Sequence, residues 1–262
     1  MSDVADEPAA VRGAQTPAER VAPLVERIRV VNGEEGERQL LADLFSLDGP
    51  TTLGFVNAHA VNLAWTSPPT AQAFADLDIL LRDGIGIEIL YKLMGRDPGL
   101  NMNGTDLIPR LVGMAEGRRI ALFGAAPDSV AETAAKWREN GADIADSLDG
   151  FRDEEAYVAA ARSGKPDMIV LAMGMPKQEQ LAATLKQAMT TPCLIVCGGA
   201  IFDFTAGKVA RAPEIMRRLR LEWLFRLMLE PKRLFGRYVI GIPVFFWRAK
   251  RYVASAAGRR GA

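Results

Sequence analysis

An α/β fold is what this 262-residue chain predicts: a Rossmann-like, mostly parallel sheet flanked by helices, with a basic helical C-terminal appendage. Three observations carry it. Short apolar runs alternate with amphipathic stretches, as in βαβ units. The runs end near Gly or polar residues, where strands of an open sheet give way to ligand-binding loops. Charge is unevenly divided: residues 206–262 hold 14 Lys and Arg against 3 Asp and Glu, an excess of +11 in a chain of zero formal net charge.

Taken in order, residues 1–22 are acidic, contain Ala and Pro, and read as a flexible tail without the apolar segment of a signal peptide. A strand-like run, Ile28–Val31, leads into a turn at Asn32-Gly33, and residues 37–47 read as helix. Strands are expected at Thr52–Asn57, Ile79–Arg82, Arg119–Phe123, Met168–Ala172 and Leu194–Cys197. Helical patterns lie between them at Pro69–Leu77, Ile85–Met94, Asp106–Ala115, Asp128–Asn140, Asp153–Ser163 and Lys177–Met189. This divides the chain into a tail (1–22), a catalytic α/β domain (23–205) and an appendage (206–262).

Composition narrows the function classes. Cys193 and Cys197 would sit roughly 13 Å apart in a strand, too far for a disulfide, and read as buried reduced thiols. One histidine and no His/Cys cluster argue against a zinc site. The appendage mixes basic and aromatic residues, which suits nucleic acid or a membrane interface. The run Tyr238–Trp247 favours the membrane: ten residues, too short to span a bilayer but able to lie on one. Its flanks, Arg233, Arg237, Arg248, Lys250 and Arg251, suit anionic lipid headgroups.

The post-strand segments are where chemistry is expected. Asp83 follows a strand and precedes a glycine-spaced helix start; it reads either as an N-cap or as a general base. Gly174-Met-Pro-Lys177-Gln178-Glu179 presents the N–H groups of a helical turn to a phosphate, with Lys177 adding charge and Gln178 an amide able to read a uracil or sugar. The turn at Gly124 has similar geometry but lacks a full dinucleotide fingerprint. His59 reads as structural or functional, and Asn57 as a helix cap or a site residue. Asp203, between two phenylalanines beside Gly198-Gly199, reads as hydrogen-bonded and oriented.

The ordered set Asn57, Asp83-Gly-Ile-Gly86, Gly104-Thr105-Asp106, Leu122-Phe-Gly124, Gly174-x-Pro-Lys-Gln-Glu179, Gly198-Gly-Ala-x-Phe-Asp203, Gly207, Arg211-Ala-Pro213, Leu221-Glu-Trp-x-x-Arg226 and Glu230-Pro-x-Arg233 resembles the WecG/TagA/CpsF glycosyltransferase family over about residues 50–240. The resemblance implies an inverting, metal-independent transferase without a cofactor, peripheral to the cytoplasmic face of the bacterial inner membrane. It would move a sugar from a UDP-sugar donor to an undecaprenyl-diphosphate-linked saccharide. Asp83 falls on the family's proposed base. Asn57, Arg211 and Arg226 join it as catalytic candidates. His59, Asn101, Thr105, Asp106, Gly124, Gly174, Lys177, Gln178, Glu179, Asp203, Arg217, Arg218 and Arg233 are substrate-binding candidates. The resemblance implies UDP-N-acetylmannosamine or UDP-N-acetylmannosaminuronate as donor; Phe55 stands where many relatives carry Thr, and Asn101 where many carry Arg, which opens the site to a plain hexose or hexuronic donor, UDP-glucose or UDP-glucuronate. No nucleic-acid partner is expected, and a homo-oligomer is compatible. The alternative is a catalytically inactive nucleotide-sugar-binding or scaffolding subunit.

Overall fold

The structure, a computed structural model, describes residues 15–218 and 221–260. Among the described residues, six strands form one parallel sheet in the order β2-β1-β6-β5-β3-β4: β1 Pro50–Val56, β2 Ile79–Arg82, β3 Arg119–Gly124, β4 Asp143–Leu148, β5 Met168–Ala172 and β6 Cys193–Cys197. The expected α/β architecture is therefore present. β5 and β6 are buried along their whole length, because helices cover both faces of a parallel sheet. Their side chains alternate between two cores: Ile169, Leu171 and Ile195 on one face, Met168, Val170 and Val196 on the other.

The helices are α1 Pro17–Glu26, α2 Gly33–Phe45, α3 Ala58–Thr66, α4 Pro68–Ala75, α5 Ile85–Leu93, α6 Gly104–Met114, α7 Pro127–Glu139, α8 Glu154–Gly164, α9 Lys177–Ala188 and α10 Ile201–Thr205. In the C-terminal part come α11 Glu214–Arg218, α12 Glu222–Leu229, α13 Pro231–Phe235, a π-helical turn Gly236–Ile240 and α14 Gly241–Arg260.

Four expectations need correction. β4 was not read as a strand: it is an edge strand with only Ile144 fully buried, so it lacks an apolar run. Ile28–Val31 forms no strand; Ile28 makes one bridge to Leu80. Helix α1 begins inside the stretch read as a tail. Thr16 and Glu19 form a capping box, and Val21, Leu24 and Val25 are buried. Residues 1–14 of that stretch lie outside the described residues. Finally, the apolar run Tyr238–Trp247 does not lie on one surface. Phe245, Ala249 and Tyr252, spaced four and three apart on α14, are each 1% exposed and join the core with α1 and α3. Of the run's residues, Val239, Ile240, Pro243 and Trp247 are exposed. Among the described residues, no helix is long and apolar enough to cross a membrane.

Candidate active site

Two adjoining cavities open at the carboxyl ends of the strands, where an open parallel sheet binds ligands. One, about 460 Å³, lies over the loops that follow β1, β3, β5 and β6. The other, about 390 Å³, lies between the α3 and α5 starts and the C-terminal segment. They share Asn57, His59, Asp83, Thr105, Arg226 and Arg237.

Asp83 sits at that junction. Parallel pairing brings the ends of β1 and β2 side by side, and the Asp83 N–H donates to the Val56 carbonyl at 2.9 Å. Asn57 caps α3: its Oδ1 accepts the Ala60 N–H at 3.0 Å, which leaves Nδ2 to donate to the Asp83 carboxylate at 3.2 Å. Asp83 is not the cap of α5. Gly84 holds that position at φ +84°, where a side chain would be strained, and its N–H donates to Asn101 Oδ1 at 2.7 Å. The carboxylate is thus not used as a helix cap and lines both cavities. Burial raises its pKa above the usual carboxylate value, opposed by the Asn57 hydrogen bond and by the charges of Arg237, Arg226 and Arg82.

Arg82 fixes the loop that carries Asn101. Its buried guanidinium donates to the carbonyls of Gly99 at 2.9 Å and Leu100 at 3.2 Å, and pairs with buried Glu88 at 3.2 Å. Four further arginines reach the cavities: Arg217 the second, Arg233 the one over the sheet, and Arg226 and Arg237 both. Arg226 lies over the Phe204 ring at 5.2 Å, Arg237 over Tyr238 at 5.5 Å, and Arg233 pairs with Glu230. Burial and the Arg237 charge push His59 down to about 4, so it is a neutral wall residue near pH 7.

The remaining expected residues divide. Thr105, Gly174, Gln178 and Asp203 line the cavity over the sheet, and Asn101 and Arg217 the other. Gln178 Oε1 accepts the Gly199 N–H at 2.9 Å and so holds the turn after β6; Asp203 accepts from Ser129 Oγ at 2.8 Å. Gly124 acts through backbone: at φ +135°, a Cβ there would meet the Ala172 backbone at 2.5 Å. Lys177 and Glu179 line neither cavity. Lys177 donates to the Gly150 carbonyl at 2.8 Å, and Glu179 is fully buried beneath Gln178. Arg211 and Asp106 pair with each other at 2.6 Å outside both linings. The side chain of Arg218 lies outside the described residues. Arg237, read as a lipid-facing flank, instead lines both cavities, and Arg248 donates to Asn62 Oδ1 at 3.1 Å. Glu222, Trp223 and Tyr238 also line the second cavity without having been assigned to the site.

A model of the family described as glycosyl transferase WecG/TagA/CpsF matches residues 25–259. One similar protein is the N-acetylglucosaminyldiphosphoundecaprenol N-acetyl-beta-D-mannosaminyltransferase of Bacillus spizizenii, 29% identical over 199 residues, which cover 74% of this chain and 76% of that one. The protein of the same name from Bacillus subtilis is 34% identical over 174 residues, 64% of this chain and 66% of that one.

Proposed function

The chain belongs to the WecG/TagA/CpsF glycosyltransferase family, and we propose that it moves a sugar from a UDP-sugar onto a polyprenyl-diphosphate-linked saccharide by a single inverting displacement. The observation that carries this reading is the position of Asp83 at the junction of two cavities, the place for a base between a donor and an acceptor. In this reading the cavity over the sheet takes the UDP-sugar. An acceptor hydroxyl enters from the other and gives its proton to Asp83. Its oxygen bonds to the anomeric carbon while the bond from that carbon to the diphosphate oxygen breaks. UDP leaves with that electron pair, and attack opposite the leaving group inverts the configuration.

Charge on the departing diphosphate is offset by Arg226, Arg233 and Arg237 and by the N-terminal ends of α7 and α9, where Ala126 and Gln178 line the cavity. These cations take the role a divalent metal plays elsewhere, which supports metal-independent transfer. The acceptor named for both relatives, N-acetylglucosaminyldiphosphoundecaprenol, is the first acceptor class to test. UDP-N-acetylmannosamine is the first donor, ahead of UDP-N-acetylmannosaminuronate, UDP-glucose and UDP-glucuronate.

Residues 23–205 supply the donor cavity in this reading, and residues 206–262 close it and meet the membrane. Exposed Phe235, Val239, Ile240 and Trp247 support a peripheral association with the inner membrane, at its cytoplasmic face. The test is transfer from each UDP-sugar to a lipid-diphosphate N-acetylglucosamine, with the product's anomeric configuration read by NMR. Tight UDP-sugar binding without transfer to any such acceptor would instead favour a catalytically inactive binding subunit.

A further inference from the structure

The second cavity carries groups that proton transfer to Asp83 does not use. Glu222 and Trp223 open α12 and line its wall, with Tyr238 beside them. The Trp223 and Tyr238 rings lie with centroids 6.0 Å apart and planes at 59°, and both are half-buried at the cavity instead of packed in a core. Glu222 is half-buried too, and no hydrogen bond from a described residue reaches its carboxylate. Among the described residues, charges of both signs act on it: Arg211 and Arg226, and Asp106 and Asp83.

Such a wall selects among ligand chemistries. A diphosphate is repelled by a carboxylate, and a polyprenyl chain would bury one without a partner. A pyranose ring satisfies both features. Its C–H face packs on an aromatic ring, and its hydroxyls donate to a carboxylate, a strong charge-assisted bond.

We propose that Glu222, Trp223 and Tyr238 form the subsite for the acceptor's sugar ring, with Glu222 accepting from hydroxyls near the one that loses its proton to Asp83. This rests on the glycosyl-transfer reading above. It places acceptor recognition on α12, so that the segment that closes the donor cavity also chooses what is glycosylated.

The probe is N-acetylglucosamine diphosphate carrying a short alkyl chain, used with the full chain and its Glu222→Gln, Trp223→Ala and Trp223→Phe variants. Binding of the probe and of UDP is measured by calorimetry, and KM for each substrate by steady-state transfer. For Glu222→Gln and Trp223→Ala, probe Kd and KM should rise roughly 10- to 100-fold, with UDP affinity and donor KM unchanged and Trp223→Phe restoring most of the loss. Unchanged probe affinity in both variants overturns the subsite. So does a loss of UDP affinity, which would place the donor's base against Trp223. A defect seen only with a long prenyl chain would make the cavity a lipid groove and also overturn it. If the wild type transfers nothing yet binds the probe through Glu222 and Trp223, the subsite stands and the transfer reading falls.

Discussion

Asn57 donates its side-chain amide to Asp83 while its amide oxygen caps helix α3 through the Ala60 N–H. The two bonds fix each other. Capping orients the amide, and the oriented amide offers its only free donor face to the carboxylate. In the proposed transfer reaction, a helix start would thereby position the base, linking the end of β1 to the end of β2.

Asp83→Asn removes the proposed base and keeps the shape. Transfer should fall by roughly 10²–10⁴ in kcat. Stability should hold, since burial already disfavours the ionised carboxylate and Gly84, not Asp83, caps α5. Single-turnover transfer beside a melting curve checks both; wild-type turnover would remove Asp83 from the mechanism.

The Asn57 bond and the Arg237 charge both lower the Asp83 pKa against burial. A base must be deprotonated, so activity rises as pH passes that pKa. Asn57→Ala or Arg237→Gln should raise it and move the acidic limb of kcat/KM to higher pH. Asn57→Ala should also cost about 1 kcal/mol through the lost cap. A purely structural Asn57 would lower the melting temperature and leave the limb in place.

The sheet was legible because β5 and β6 are buried on both faces and spell this as unbroken apolar runs. β4 was not, because an edge strand with the sequence DIADSL has no such run. Asp83 and Asn57 were legible from their place just past strand ends. Glu179 was misplaced because neighbouring helix positions point about 100° apart. Gln178 turns to the cavity and the Gly199 N–H, and Glu179 turns into the core. The direction of Arg237 depends on how α12, α13 and the π-helical turn fold back over the site, which charge patterning alone does not specify.

Burial pushes the Glu179 carboxyl up to about 7, with one oxygen accepting from Gln178 and the other unpartnered. A raised carboxyl pKa means that the folded state holds its proton more tightly than the unfolded state, whose value is near 4.5. Stability is therefore lost as pH rises from about 4.5 to about 7, by roughly 3 kcal/mol in total, and is flat above. Glu179→Gln keeps the acceptor for Gln178 and removes the titration. Its advantage over wild type in urea unfolding should be absent near pH 4.5 and largest above pH 7. Parallel stability curves for the two would show that Glu179 does not titrate on folding.

Chelation tests the charge balance assigned to the arginines. The Asp76-Leu77-Asp78 sequence has metal-motif spacing but precedes β2, at the opposite end from Asp83, and Asp78 is engaged by Thr52 and Lys186. EDTA should leave transfer within about twofold of the untreated rate, whereas Arg226→Ala should cost roughly 10²-fold through the lost diphosphate contact. Loss on chelation, restored by Mg²⁺ or Mn²⁺, would mean that the arginines do not suffice.

Neighbouring residues of the C-terminal segment should separate membrane binding from folding. Ile240 and Trp247 are 56% and 54% exposed, and the Arg251 guanidinium lies 4.8 Å from the Trp247 ring centre. Phe245, two residues before Trp247, is 1% exposed and packs with the core that holds α1 and α3. Apolar side chains at a bilayer surface add insertion energy, and each nearby basic residue adds about 1 kcal/mol on anionic lipid. Ile240→Ser with Trp247→Ser should weaken binding to phosphatidylglycerol vesicles while leaving the melting temperature in place, since neither side chain fills a core. Phe245→Ala should do the reverse: a stability loss of about 3–5 kcal/mol from the cavity left behind, with vesicle affinity of the folded fraction retained. Transfer to a long-chain lipid acceptor should fall in the double variant, and transfer to a short-chain soluble acceptor should not. Vesicle binding as tight as wild type in the double variant would show that these side chains do not hold the protein at a membrane.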